Sequence, residues 1–180
     1  MKKYLLVVFV SLFCFSCREK TPLEKSNAFV EKAGWYVLRE GLWIEWDSTH
    51  VPDYTKVFAL ADSAIKYSPN DLVFYCQKVS YCLSEDFDKK RTSHISEDNY
   101  RRIVDIYLQF IRRDTTQARG YYMLGGAYDS LGMRDSAAYC YLRAMDMTRR
   151  EPPADDTLTA WRRQTMMENM EKRLEVFGRD

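Results

Sequence analysis

Beyond an apolar run at residues 4–15, hydrophobic positions in this 180-residue chain recur every three or four residues. No segment shows the period of two that a half-buried strand requires. Thr21-Pro22-Leu23-Glu24 joins a capping threonine, a proline suited to a first turn and a glutamate placed to close a capping box. Phe29, Val30, Ala33, Val37, Leu38, Leu42 and Ile44 then lead to Trp46, predicting a helix over 22–46 that stops at the turn-rich 47–52. Gly34 and Gly41 cost that helix propensity, and close approach of a neighbouring helix is their expected use. A second helix is predicted over 53–67, with Val57, Ala61, Ala64 and Ile65 on one side. Ser68-Pro69-Asn70-Asp71 ends it and caps a third over 71–84, after which the polar stretch 84–95 reads as a loop. Ser96-Glu97-Asp98 opens a fourth helix, its acids in the first turn where the helix dipole favours them. Ile103, Val104, Tyr107, Phe110 and Ile111 give it a helical period. Helices over 117–130 and 134–148 flank the tight turn Leu131-Gly132-Met133. After Glu151-Pro152-Pro153, Asp155 or Asp156 caps a last helix running to about Phe177, with Gly178 as its stop.

The leading apolar run follows Lys2-Lys3, is too short to cross a bilayer as a helix, and ends in Cys14-Phe15-Ser16-Cys17-Arg18. It resembles a bacterial lipoprotein signal, with the small Ser16 just before the acceptor cysteine. The resemblance implies cleavage before Cys17, acylation of Cys17 and export. Arg18, where Asp is absent, implies onward transfer to the outer membrane, the domain facing the periplasm or the cell surface. Cys14 departs from the usual leucine of such signals, and an ordinary secretory signal followed by unrelated cysteines is the alternative. The expected division is a signal peptide at 1–16, a lipidated cysteine and short tether at 17–20, and one helical domain at 21–178.

Helices five and six carry the sharpest internal pattern: Tyr121, Leu124, Gly125, Tyr128, Ala137, Tyr141 and Ala144. Small Gly125 and Ala137 suit a close crossing of two antiparallel helices, with the three tyrosines filling the space beside it. This resembles the tetratricopeptide repeat, a helix–turn–helix unit of about 34 residues, with Leu131-Gly132 at its turn. Arg149 stands where the repeat usually ends in proline; Pro152-Pro153 follow slightly late. Fainter echoes lie upstream. Val57, Ala61, Ala64 and Pro69 match a second helix and its closing proline. Cys76, Val79, Ser80 and Leu83 match a first helix, and Ile103, Tyr107 and Phe110 its partner. The expected fold is therefore all-α: a right-handed superhelix of about three antiparallel pairs with a C-terminal capping helix, a generic helical-hairpin bundle being the alternative. The apolar stripe Leu158, Trp161, Met166, Met170, Leu174 and Phe177 is expected to cap the stack, with a partner surface as its other use.

Composition narrows the function. Removing Lys2 and Lys3 from 27 basic residues leaves 25 against 26 acidic ones, a near-neutral chain that argues against nucleic acid as partner. Basic doublets such as Arg112-Arg113 and Arg162-Arg163 read as solvated helix faces. Cys76 and Cys82 lie about 9 Å apart along a helix, beyond disulfide reach. They and Cys140 read as buried free thiols, Cys140 being able to pair only if the fold brings it to one of the others. No catalytic motif, metal-ligand spacing or cofactor fingerprint is present, and His50 and His94 fall in predicted loops. The expectation is no enzyme, no cofactor and no metal.

By the repeat resemblance, the groove of the last unit is lined by Arg119, Tyr122, Gly126 and Asp129. Tyr122 and Gly126 replace the Lys and Asn that some family members use to grip a terminal carboxylate, so that specificity does not transfer. The expected function is a membrane-anchored scaffold or adaptor binding a segment of another envelope protein. Alternatives are an accessory ligand- or nutrient-binding lipoprotein of a surface uptake system, for which Trp35, Trp43 and Trp46 are candidate platforms though expected in the core, or an immunity-type binding protein.

Overall fold

The computed structural model describes residues 19–46, 52–90 and 94–178, without the side chains of 40–46 and 90. The leader, Cys17, His50, the surroundings of Gly41, the side chains of Trp43 and Trp46, and most of the predicted turn at 47–52 lie outside what is described. Seven α-helices follow one another with no strand among the described residues: α1 Pro22–Trp46, α2 Tyr54–Tyr67, α3 Leu72–Lys90, α4 Glu97–Arg113, α5 Ala118–Ser130, α6 Arg134–Arg150 and α7 Thr157–Phe177. None is long and apolar enough to cross a membrane.

The helix starts are local. Thr21 and Glu24 form the reciprocal box: the Thr21 N–H donates to Glu24 Oε2 at 2.7 Å and the Glu24 N–H to Thr21 Oγ1 at 3.2 Å. Asp53, Ser96 and Asp156 cap α2, α4 and α7 by accepting from backbone N–H groups. Gly132 takes φ +70° between α5 and α6, a left-handed conformation that glycine adopts without penalty. Gly178 caps α7 with ordinary right-handed backbone, so its position and not its freedom ends the helix.

Each helix packs mainly on its chain neighbours, α5 on α6 most extensively, with α1 also reaching α3. The interior falls into three clusters. Tyr81 of α3 joins Ala33, Tyr54, Val57 and Ala61 between α1 and α2. Tyr75, Val79, Cys82, Tyr107 and Phe110 dominate the middle. Ala137, Tyr141, Ala144, Met145 and Met170 lie between α6 and α7.

Several expectations need correction. Helix α3 does not end at 84 but runs to Lys90. The segment reads as a loop because it is polar, yet its polar groups are bound by their neighbours. Glu85 accepts from both Lys89 and Arg102 at 2.5 Å. Asp86, 3% exposed, accepts from the backbone N–H and the hydroxyl of Ser96, both at 2.7 Å. Tyr54 donates to Asp88 at 2.6 Å, and Asn99 donates to the Cys82 carbonyl at 3.0 Å. Helix α3 thus carries a carboxylate that organises the start of α4. Replacing Asp86 by Ala should leave the Ser96 groups without that acceptor and lower stability by about 1–3 kcal/mol. The exposed change Glu97→Ala should stay within about 0.5 kcal/mol. Urea titration of both variants compares them, and equal midpoints would remove the structural role given to Asp86.

In α3 Val79 and Cys82 are buried and Leu83 is exposed, within the one-residue latitude that the spacing left open there. A side chain added at Gly34 would meet nothing within 4 Å, so no helix approaches there. Trp35 lies 63% exposed and not in the core, because no other described helix packs on that side of α1. The stripe of α7 divides. Met170 is fully buried, with Met166, Leu174 and Phe177 packed around it, whereas Leu158 and Trp161 are exposed.

Candidate functional site

The α5–α6 hairpin sets the geometry. A Cβ at Gly125 would stand 2.7 Å from two Tyr141 ring carbons and 3.3 Å from Cys140 Cβ, so only glycine allows this approach. Leu124, Gly125, Ala137, Tyr141 and Ala144 are buried and Tyr121 and Tyr128 half-buried. Tyr141 stacks on Phe177 of α7 with centroids 6.3 Å apart, and burial, followed by the Asp129 charge, pushes its hydroxyl up to about 12.

One face of α5 carries the four expected groove residues, and α7 divides them. Asp129 accepts two hydrogen bonds from Arg173 of α7, at 2.6 and 2.5 Å, so this carboxylate is tied to the last helix. Gly126 faces the Tyr141 hydroxyl, 3.9 Å from where a Cβ would stand. Arg119 and Tyr122 line an open cleft between α5 and the first half of α7, about 440 Å³ in volume. Tyr122 is half-buried, tilted against Tyr141 at 6.2 Å, so it serves packing and cleft together.

Across the cleft stand Trp161, 59% exposed, Arg162 and Met166. Arg163 is held by Glu151 at 2.9 Å and donates to the Pro152 carbonyl at 2.6 Å, pinning α7 to the chain that precedes it. Arg119 makes no ion pair among the described residues. The cleft therefore offers two aromatic rings, methionine side chains and unequal charge. Sequence reasoning placed Trp161 on an apolar stripe and Arg162 on a solvated face. It did not join them to α5, because the angle at which α7 leaves Pro152-Pro153 has no local signature.

A second depression, about 610 Å³, lies over Phe58, Lys78, Glu85, Arg102 and Asp105. Arg102 lies over the Phe58 ring at 4.4 Å and is paired with Glu85, so its polar groups serve the packing of α2, α3 and α4. Every buried side-chain nitrogen and oxygen described has a hydrogen-bond partner. No cluster of three His, Cys, Asp or Glu able to hold a metal ion occurs among the described residues. The thiols of Cys76, Cys82 and Cys140 are free. Burial raises the pKa of each, Cys82 and Cys140 to about 11, which keeps them protonated at neutral pH. His94 is exposed ahead of α4. Neither a family model nor a curated protein matches the chain.

Proposed function

We propose that this protein is a membrane-anchored, non-enzymatic interaction module, a scaffold or adaptor of the bacterial envelope that holds a segment of another protein in the cleft between α5 and α7. The observation that carries the reading is the cleft itself: half-buried Tyr122, exposed Trp161 and Arg119 on two helices that Arg173 and Asp129 tie together. Aromatic side chains with a polar edge and arginines are the residues that most often dominate protein interfaces. Packing of each helix chiefly on its chain neighbours, and the Gly125–Tyr141 crossing, support a tetratricopeptide-like superhelix in which α1, α3, α5 and α7 share the inner side. The lipoprotein-like leader supports anchoring at Cys17, and Arg18 supports onward transfer to the outer membrane.

Crosslinking in intact cells tests the partner. Tyr122→Ala and Arg119→Glu should each weaken capture of the crosslinked neighbour while circular dichroism remains helical and melting cooperative. Unchanged capture in both would remove the cleft from the reading. Glycan binding that depends on an exposed tryptophan and survives both changes would favour an uptake accessory instead. Cys17→Ala should abolish lipid labelling and leave an unprocessed or mislocalised precursor; wild-type labelling and fractionation would refute the anchor.

A further inference from the structure

Helix α1 has one packed side and one open side. Ser26 and Ala33 are buried, and Phe29, Val30, Tyr36 and Val37 pack on the interior. Ser26 is held there by donating to the Ala64 carbonyl of α2 at 2.9 Å. On the other side Leu23, Leu38 and Trp35 are exposed. Trp35 and Leu38, with Lys32, Tyr36 and Arg39, border a shallow depression of about 420 Å³. An exposed tryptophan beside an exposed leucine, flanked by a lysine and an arginine, has the character of a membrane-interface contact. The indole prefers the headgroup boundary, and the cations favour anionic lipid. Glu24 and Glu31, also exposed and on the same side of the helix, offset that charge, so the apolar pair Trp35 and Leu38 carries the contact.

The position of this face in the chain says what covers it. The apolar run at 4–15 and Cys17 come just before the helix, and only residues 18–20 separate Cys17 from the capping Thr21. That tether spans at most about 14 Å from Cys17 to Thr21. Trp35 lies about 20 Å along the helix from Pro22. A chain held in a bilayer at Cys17 therefore keeps the start of α1 within about 14 Å of the lipid, and a helix lying flat from there brings Trp35 and Leu38 to the surface.

We infer that α1 lies along the phospholipid surface with Trp35 and Leu38 seated at the headgroup–acyl boundary. This orients the domain and leaves the α5–α7 cleft for the partner. The inference rests on the anchor reading, and the two are separable by experiment. The full chain, isolated from membranes, is reconstituted into phosphatidylethanolamine–phosphatidylglycerol vesicles with or without brominated acyl chains. Flotation reports the anchor, and bromine quenching of tryptophan fluorescence reports contact. In a parent chain carrying Trp43→Phe and Trp46→Phe, which removes the other tryptophans of α1, Trp35→Phe should still float but lose most of the quenching, whereas Trp161→Phe should keep it. Leu38→Glu should float and show reduced quenching, since it lifts the indole away from the acyl chains. Circular dichroism is required to stay helical in each variant, as expected for exposed sites. Flotation with equal quenching in that parent chain and its Trp35→Phe variant overturns the lipid contact and assigns this face to a protein or a second copy. Failure of the wild type to float overturns the anchor and the contact together.

Discussion

Replacing Phe110 by Ala should cost about 3–5 kcal/mol, the largest loss expected from a single change in this chain. Phe110 is fully buried in the middle cluster. Its ring meets Tyr75 of α3 edge-on at 5.1 Å, and a Cβ at Gly120 of α5 would stand 2.8 Å from it. One side chain on α4 therefore fills the space shared by three helices. Truncation loses its apolar burial and leaves a cavity that the surrounding helices close only in part. Exposed Phe87 on α3 provides the comparison, since Phe87→Ala should change stability by no more than about 0.5 kcal/mol. Urea unfolding followed by circular dichroism measures both. Similar midpoints would mean that α3, α4 and α5 do not meet at Phe110.

The second large effect is overpacking at Ala137. This residue is fully buried in the cluster that holds Tyr141, Ala144, Met145 and Met170. Ala137→Trp should destabilise by about 1–3 kcal/mol or more, because a bicyclic side chain has no space between α6 and its neighbours. Arg134→Ala, at the exposed start of the same helix, should stay within about 0.5 kcal/mol. In a domain of this size the difference amounts to roughly 2–4 °C in melting temperature per kcal/mol. Comparable melting of the two variants would withdraw Ala137 from the helix crossing.

Both predictions concern residues that the hydrophobic spacing had already singled out. The reason is that a repeated helical period and a pair of small residues are local features. Phe110 falls on the period of α4, and Gly125 and Ala137 are the small residues of one hairpin, so their burial follows once the two helices pair. The groove residues were legible only in part. Arg119 and Tyr122 do border a cleft, but the opposite wall comes from Trp161, Arg162 and Met166, some forty residues further along the chain. Asp129, placed in the same groove, is instead engaged by Arg173.

What the sequence determined by itself was the all-helical class, the caps at Thr21 and Ser96, a cap at Asp155 or Asp156, the turn at Gly132 and the crossing at Gly125; the structure added the cap at Asp53 and chose Asp156. Each depends on residues within one helix end or one hairpin, where hydrogen bonds and steric limits act over a few positions. Only the tertiary structure decided the length of α3, the exposure of Trp35, the division of the α7 stripe and the shape of the cleft. Polar Glu85 and Asp86 can sit inside a helix because Arg102 and Ser96 reach them from α4. Trp35 stays outside because no other described helix packs on that side of α1, and Met170 goes inside because α6 lies beneath it. Burial is a property of the neighbour as much as of the residue, and the neighbour is chosen by how the helices stack.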